Sequence, residues 1–138
     1  MQPETQEVQD GLHKPAKRIL LVEDDDNLAQ VYQTRFSAEG FDVRRVPDGE
    51  IALASAINYK PDLILLDLMM PKIDGFDVLD ILRNTPETAG TKIIMLTARG
   101  QDADRKRAMD LGADDNLVKS QVVMTDVVGH VKRHLENS

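Results

Sequence analysis

Cysteine is absent from this chain. That excludes disulfides and thiolate chemistry and suits a reducing compartment. No apolar run approaches the roughly 18–20 residues that a membrane span needs. The first residues carry no apolar segment of the kind a secretory signal requires, so a cytoplasmic location is expected. Positive charge is scarce: 17 Lys and Arg stand against 24 Asp and Glu, for a net charge of −7. A nucleic-acid grip over the whole surface needs the opposite sign. Neither membrane nor direct nucleic-acid binding is expected; the acidic excess points instead to a cation, or to a basic patch on a protein partner.

What is present describes a globular domain. The chain has 138 residues, with 41% hydrophobic and 30% charged, enough for one domain with a real core. Residues 1–16 are polar and aperiodic and read as a flexible tail; residues 17–138 read as the domain. Near-continuous apolar runs mark strands covered on both faces: "KRILLV" (17–22), "DLILLD" (62–67) and "KIIML" (92–96), with "DVRRV" (42–46) and "NLVK" (116–119) weaker.

Helical spacing falls between these runs. Leu28, Val31, Tyr32 and Phe36 suggest one apolar face, with Gly40 ending the helix in the left-handed region. Asp48 suits the cap of a second helix containing Ile51, Leu53, Ala54 and Ile57. Phe76, Leu79 and Leu82 mark a third, capped by Asp74 and stopped before Pro86. Residues 101–111 form a charged fourth, closed by Gly112. Val127, Val128, Val131 and Leu135 mark a last helix, with Thr125 as its expected N-cap. Strand and helix alternate about five times, which implies an α/β fold: a parallel sheet with helices on both faces. Ligands of such sheets bind at the carboxyl ends of the strands.

The chemistry gathers at those ends. Glu23 and Asp24 follow the first strand, in "LLVEDDDN". Asp67 ends the third, in "LILLDLMMPKIDG". Thr97 ends the fourth and Lys119 the fifth. Carboxylates brought together there repel unless a counter-charge is present, and Mg2+ takes such oxygen ligands together with water and phosphate. Lys119 offers a second positive charge to a phosphoryl oxygen, and Thr97 a hydroxyl donor. This is an apparatus for phosphoryl transfer, in which positioning and charge neutralisation do most of the catalysis. A carboxylate can itself be the nucleophile and become an aspartyl phosphate. Asp25 and Asp26 are assigned to the N-terminus of the first helix, where negative charge and an Asp cap are favourable.

"RILLVEDDDNL", "PDLILLDLMMPKIDGFDVL", "IIMLTARG" and "LGADDNLVK" together resemble the receiver domain of two-component response regulators, over residues 17–136. The resemblance implies a doubly wound, flavodoxin-like sheet of order 2-1-3-4-5. It implies that Asp67 accepts a phosphoryl group from a phosphohistidine on a sensor histidine kinase or histidine phosphotransfer protein. By the same resemblance Asp24 and Asp67 ligate Mg2+ directly, Glu23 acts through water, and the Met69 carbonyl completes the protein ligands. Lys119 then holds a phosphoryl oxygen, while Thr97 and the Ala98 backbone N–H meet the phosphoryl group. Pro71 and Gly75 shape the loop after Asp67. The face made by the fourth helix, fifth strand and last helix carries the signal to a downstream protein. Such a domain catalyses only its own phosphorylation and dephosphorylation.

Two positions depart from the family pattern. Asn116 stands where the family usually has an aromatic residue, and Ser120 where it usually has a proline after a cis peptide bond. A cis bond before serine costs ~3 kcal/mol or more, against under ~1 before proline. The expectation is therefore either a trans bond with a rearranged loop or a strained cis bond, and a signalling face that works differently. The chain ends soon after the last helix, which leads us to expect a chemotaxis-type single-domain regulator. The alternatives are an excised receiver of a transcription factor, a phosphorylation-independent interaction module, and an Asp-nucleophile phosphohydrolase. That last class usually places a second Asp where Met69 stands. His130 and His134 are spaced i, i+4, but no third metal ligand is evident, so a solvated helix face is expected. Arg105–Arg107 is too short for nucleic acid, with partner binding as a minor reading. His13 receives no role.

Overall fold

A computed structural model of the chain describes residues 15–97, 102–119 and 122–136. The expected tail therefore lies largely outside the described residues, as do Ala98 and Ser120. The strands are β1 (Arg18–Val22), β2 (Asp42–Val46), β3 (Leu63–Asp67), β4 (Lys92–Thr97) and β5 (Asp115–Val118). The helices are α1 (Asp26–Ala38), α2 (Gly49–Tyr59), α3 (Gly75–Arg83), α4 (Asp102–Asp110) and α5 (Met124–Glu136). All strand pairs are parallel, in the order β2-β1-β3-β4-β5, as expected.

The continuous apolar strands are explained by two cores, one on each side of the sheet. Leu20, Val22, Ile64, Leu66, Ile93 and Met95 face α2 and α3. Their neighbours Ile19, Leu21, Leu63, Leu65, Ile94 and Leu96 face α1 and α5. Successive side chains of a strand point to opposite faces, so a strand buried on both must be apolar throughout.

Asp25, Asp48 and Asp74 cap α1, α2 and α3, each side chain accepting a backbone N–H bond of 3.0 Å from the residue three further on. Gly40 and Gly112 lie at φ 94° and 103°, where helices close in the left-handed conformation. Arg83 ties the far edge together. Its guanidinium donates to the carbonyls of Gly112 (2.8 Å), Thr91 (2.6 Å) and Ala89 (3.2 Å), and to the Asp114 carboxylate (2.8 Å).

Two helix readings are corrected, in α1 and at the start of α5. In α1 the buried residues are Ala29, Tyr32 and Phe36. Val31 is exposed and Leu28 only half-buried; the inward row runs 29, 32, 36, and Val31 falls off it. In α2 the inward row is Ala52, Ala56 and Tyr59, and Ile51 and Ile57 are exposed. Small residues face the sheet there, against the hydropathy ranking. Thr125 lies inside α5 rather than capping it, since the helix begins at Met124 and Val127 N–H already bonds the Val123 carbonyl at 3.2 Å.

Candidate functional site

Strand register builds the site. Val22 pairs with Leu66, Asp67 with Leu96, and Thr97 with Val118. The next residue of each strand or loop then falls on one edge, and Glu23, Asp67, Thr97 and Lys119 meet there. Lys119 Nζ donates to Asp67 Oδ2 at 2.9 Å and pairs with Glu23 Oε1 at 3.1 Å. Glu23, Asp67 and Thr97 are buried, whereas Asp24 is exposed. Glu23, Asp24 and Asp67 each offer a carboxylate oxygen within 4.8 Å of the others.

The electrostatics leave this cluster short of positive charge. Burial, and next the charge of Asp67, raise the Glu23 carboxyl from 4.5 to about 7, although the Asp25 N–H and Lys119 pull the other way. Burial alone lowers the Lys119 ammonium, but its bonds and charge contacts with Asp67 and Glu23 outweigh this and hold it above its ordinary range. The buried Glu23 Oε1 meets the Lys119 ammonium at 3.1 Å, in a contact of poor hydrogen-bond geometry. A hard cation ligated by oxygen would balance the surplus negative charge and better satisfy that oxygen, so these residues fit Mg2+.

Local structure holds the acids in place. The Met69 N–H donates to Asp67 Oδ1 at 3.2 Å, while the Met69 side chain is exposed. The Leu68 N–H bonds the Leu96 carbonyl at 2.8 Å and the Gly75 N–H bonds the Leu68 carbonyl at 2.9 Å, folding the loop back on the strand end. A Cβ on Gly75 would lie 2.6 Å from Leu68 Cα and 2.8 Å from the Asp67 carbonyl oxygen, so only glycine fits. Within that loop Lys72 adopts φ 71°, at the centre of a tight turn closed by Ile73 N–H on the Pro71 carbonyl at 2.9 Å. The Thr97 hydroxyl makes a long bond, 3.4 Å, to the Leu117 carbonyl.

Several residues take parts here that the sequence does not assign to them. Arg45 of β2 donates to the Glu23 carbonyl at 2.8 Å and pairs with Asp26 Oδ1 at 2.9 Å, anchoring the acidic loop. Asp26 thus serves that loop as well as the first turn of α1. Tyr32 is buried on α1, and burial raises its hydroxyl; the charges of Lys119, Glu23 and Asp67 also act on it, the first downward and the others upward. Alternation in β2 and helical spacing in α1 gave no sign of either role. Arg107 stacks over the Phe76 ring at 4.2 Å, which accounts for part of the basic run on α4 by packing. The expectation that His130 and His134 lack a third ligand is overturned, because the fold brings Asp115 between them.

The comparisons with known proteins agree with this geometry. A family profile described as the response regulator receiver domain matches residues 19–128. The DNA-binding dual master transcriptional regulator RpaA of Synechocystis is 43% identical over 102 residues, 74% of this chain and 42% of that protein. The transcriptional regulatory protein CpxR of Klebsiella pneumoniae is 48% identical over the same shares. The chain thus spans well under half the length of these curated relatives. Among solved structures, a putative response regulator from Chloroflexus aurantiacus superposes with a TM-score of 0.83 at 32% identity, covering 88% of this chain and 99% of that one. A CheY-like receiver domain protein from Methanospirillum hungatei gives 0.82 at 26% identity, covering 89% and 96%. Among the described residues, no helix is long and apolar enough to cross a membrane.

Proposed function

Because the chain belongs to the response regulator receiver domain family, we propose that it is a phosphoacceptor, taking a phosphoryl group onto Asp67 from a phosphohistidine on a partner kinase or phosphotransfer protein. The observation that carries this reading is the Asp67 carboxylate, buried at a strand end, held by Lys119 at 2.9 Å and flanked by Glu23 and Asp24. An Asp67 oxygen attacks phosphorus in line with the departing imidazole nitrogen; the P–N bond breaks, a P–O bond forms, and the imidazole leaves with a proton from solvent. Asp24, Asp67, Glu23 through water, and the Met69 carbonyl would hold Mg2+, which supplies neutralisation of the phosphoryl charge when bound. Lys119 exchanges part of its contact with Asp67 for a phosphoryl oxygen. The Thr97 hydroxyl gives up its long bond to Leu117 and turns to the same group, beside the Ala98 N–H.

The signal passes through the face of α4, β5 and α5 to a protein target. Asn116 replaces the usual aromatic there, and its Oδ1 is buried without a hydrogen-bond partner. That orphaned oxygen supports a relay different from an aromatic rotamer switch. The lengths of the relatives support a second reading, in which this receiver controls a DNA-binding segment as in transcriptional regulators.

Intact mass after incubation with a small phosphodonor, with and without Mg2+, tests the proposal. One Mg2+-dependent adduct that disappears in Asp67→Asn is expected. A folded, Mg2+-binding protein that takes up no phosphoryl group would leave an interaction module that has lost the switch.

A further inference from the structure

Away from the phosphoacceptor edge, β5 and α5 bring three metal-ligating side chains to one point. Asp115 Oδ2 lies 2.8 Å from His130 Nδ1 and 2.9 Å from His134 Nε2. Those three ligand atoms all fall within 4.8 Å of one another. We propose that Asp115, His130 and His134 form a binding site for a divalent transition-metal ion of the zinc class, with water completing the coordination.

The site is built on rigid elements. Asp115 pairs with Ile94 in the sheet. The helix carrying both histidines is anchored by Val127, Val128, Val131 and Leu135, all buried. Two imidazoles one helical turn apart project from the same face and can share one ion. The Asp115 carboxylate is oriented by its second oxygen, which accepts the Asn116 N–H at 2.9 Å and leaves Oδ2 turned to the imidazoles. Such outer contacts fix ligands in place. All three side chains are partly exposed, between 23% and 31%, so an ion and its waters can enter.

Two imidazoles and one carboxylate suit zinc, cobalt, nickel or copper ions better than Mg2+, which prefers oxygen throughout. In the metal-free arrangement the carboxylate oxygen accepts from the two rings. Metal binding replaces these bonds: each ring carries its proton on the outer nitrogen and turns the inner lone pair to the ion. Arg133 is an opposing charge, with its guanidinium 3.1 Å from His130 Nδ1. It lies on the exposed side of α5 and can swing into solvent. The other nearby cation, Lys132, is engaged by Glu39 at 2.6 Å. A bound ion would clip the start of β5 to α5, on the face through which the proposed signal leaves.

The test is calorimetric titration of the untagged, metal-stripped full chain with Zn2+, in buffer with excess Mg2+ to fill the acidic edge. Co2+ absorption in the visible serves as a second readout of imidazole ligation. One saturable site per chain is expected, unchanged in His13→Gln and in Asp24→Asn. His130→Gln and His134→Gln should each weaken it at least about tenfold, since even loss of a supporting contact costs 10–100-fold. Both substitutions are on a partly exposed helix face, and far-UV dichroism checks that they remain folded. Wild-type affinity in either histidine variant, loss on Asp24→Asn instead, or no saturable binding in the wild type would each overturn the site. None of these outcomes depends on whether Asp67 is phosphorylated.

Discussion

Replacing Glu23 with Gln should remove a pH dependence of stability that the acidic edge builds in. In buffer free of divalent ions, the folded protein holds the Glu23 proton up to about pH 7, against 4.5 for the ordinary side chain. Between these values the native state binds more protons than the unfolded chain, so stability falls as pH rises through this window and levels off above it. A unit of pKa difference corresponds to about 1.4 kcal/mol. The side chain is fully buried, but the exposed Asp24 beside it admits some solvent screening, so the expected loss is about 2–3 kcal/mol. Urea unfolding of wild type and Glu23→Gln at matched pH values measures it. The stability of the variant relative to wild type should rise by that amount between the two pKa values and then stay constant. Saturating Mg2+ should restore most of the lost stability to the wild type at alkaline pH, because an ion that binds only the folded state stabilises it. Difference curves that stay flat across the window would refute the reasoning, and with it the claim that the three carboxylates exceed the charge Lys119 can balance.

Two further outcomes follow from the packing. Gly75→Ala would force a methyl into the backbone of Leu68 and Asp67; a loss of about 1–3 kcal/mol is expected, and phosphodonor labelling of Asp67 should slow because the loop that positions it must shift. Arg83→Met should destabilise by about 2–4 kcal/mol, since three carbonyls and Asp114 lose their donor. Arg83→Lys should recover less than half of that in thermal or urea unfolding, as an ammonium cannot span the same fork.

The parallel α/β architecture was legible because period and punctuation agree. Apolar runs such as "LILLD" need two covered faces, and Asp25, Asp48 and Asp74 announce helix starts through their own chemistry. Positions where hydropathy and packing diverge were misread. Ile51 and Val31 look like core residues by hydropathy, yet the inward rows are Ala52, Ala56 and Tyr59 in α2 and Ala29, Tyr32 and Phe36 in α1, because helix rotation on the sheet selects a row by position rather than by apolarity. The chemical identities at the strand ends, Glu23, Asp24, Asp67, Thr97 and Lys119, were also available in one dimension, since the rule that ligands bind at carboxyl ends converts strand order into proximity.

Distances, and the partners that come from elsewhere in the chain, belonged to the tertiary structure alone. Nothing local links Arg45 to the Glu23 carbonyl, Arg83 to Gly112, or Asp115 to His130 and His134. Each contact joins elements whose relative rotation is settled only when both faces of the sheet are packed. Local patterns determine which elements form and which chemistry the chain carries. Register and helix packing decide which of those groups meet, because side-chain reach is a few ångströms and one residue of strand slip would turn every side chain to the opposite face.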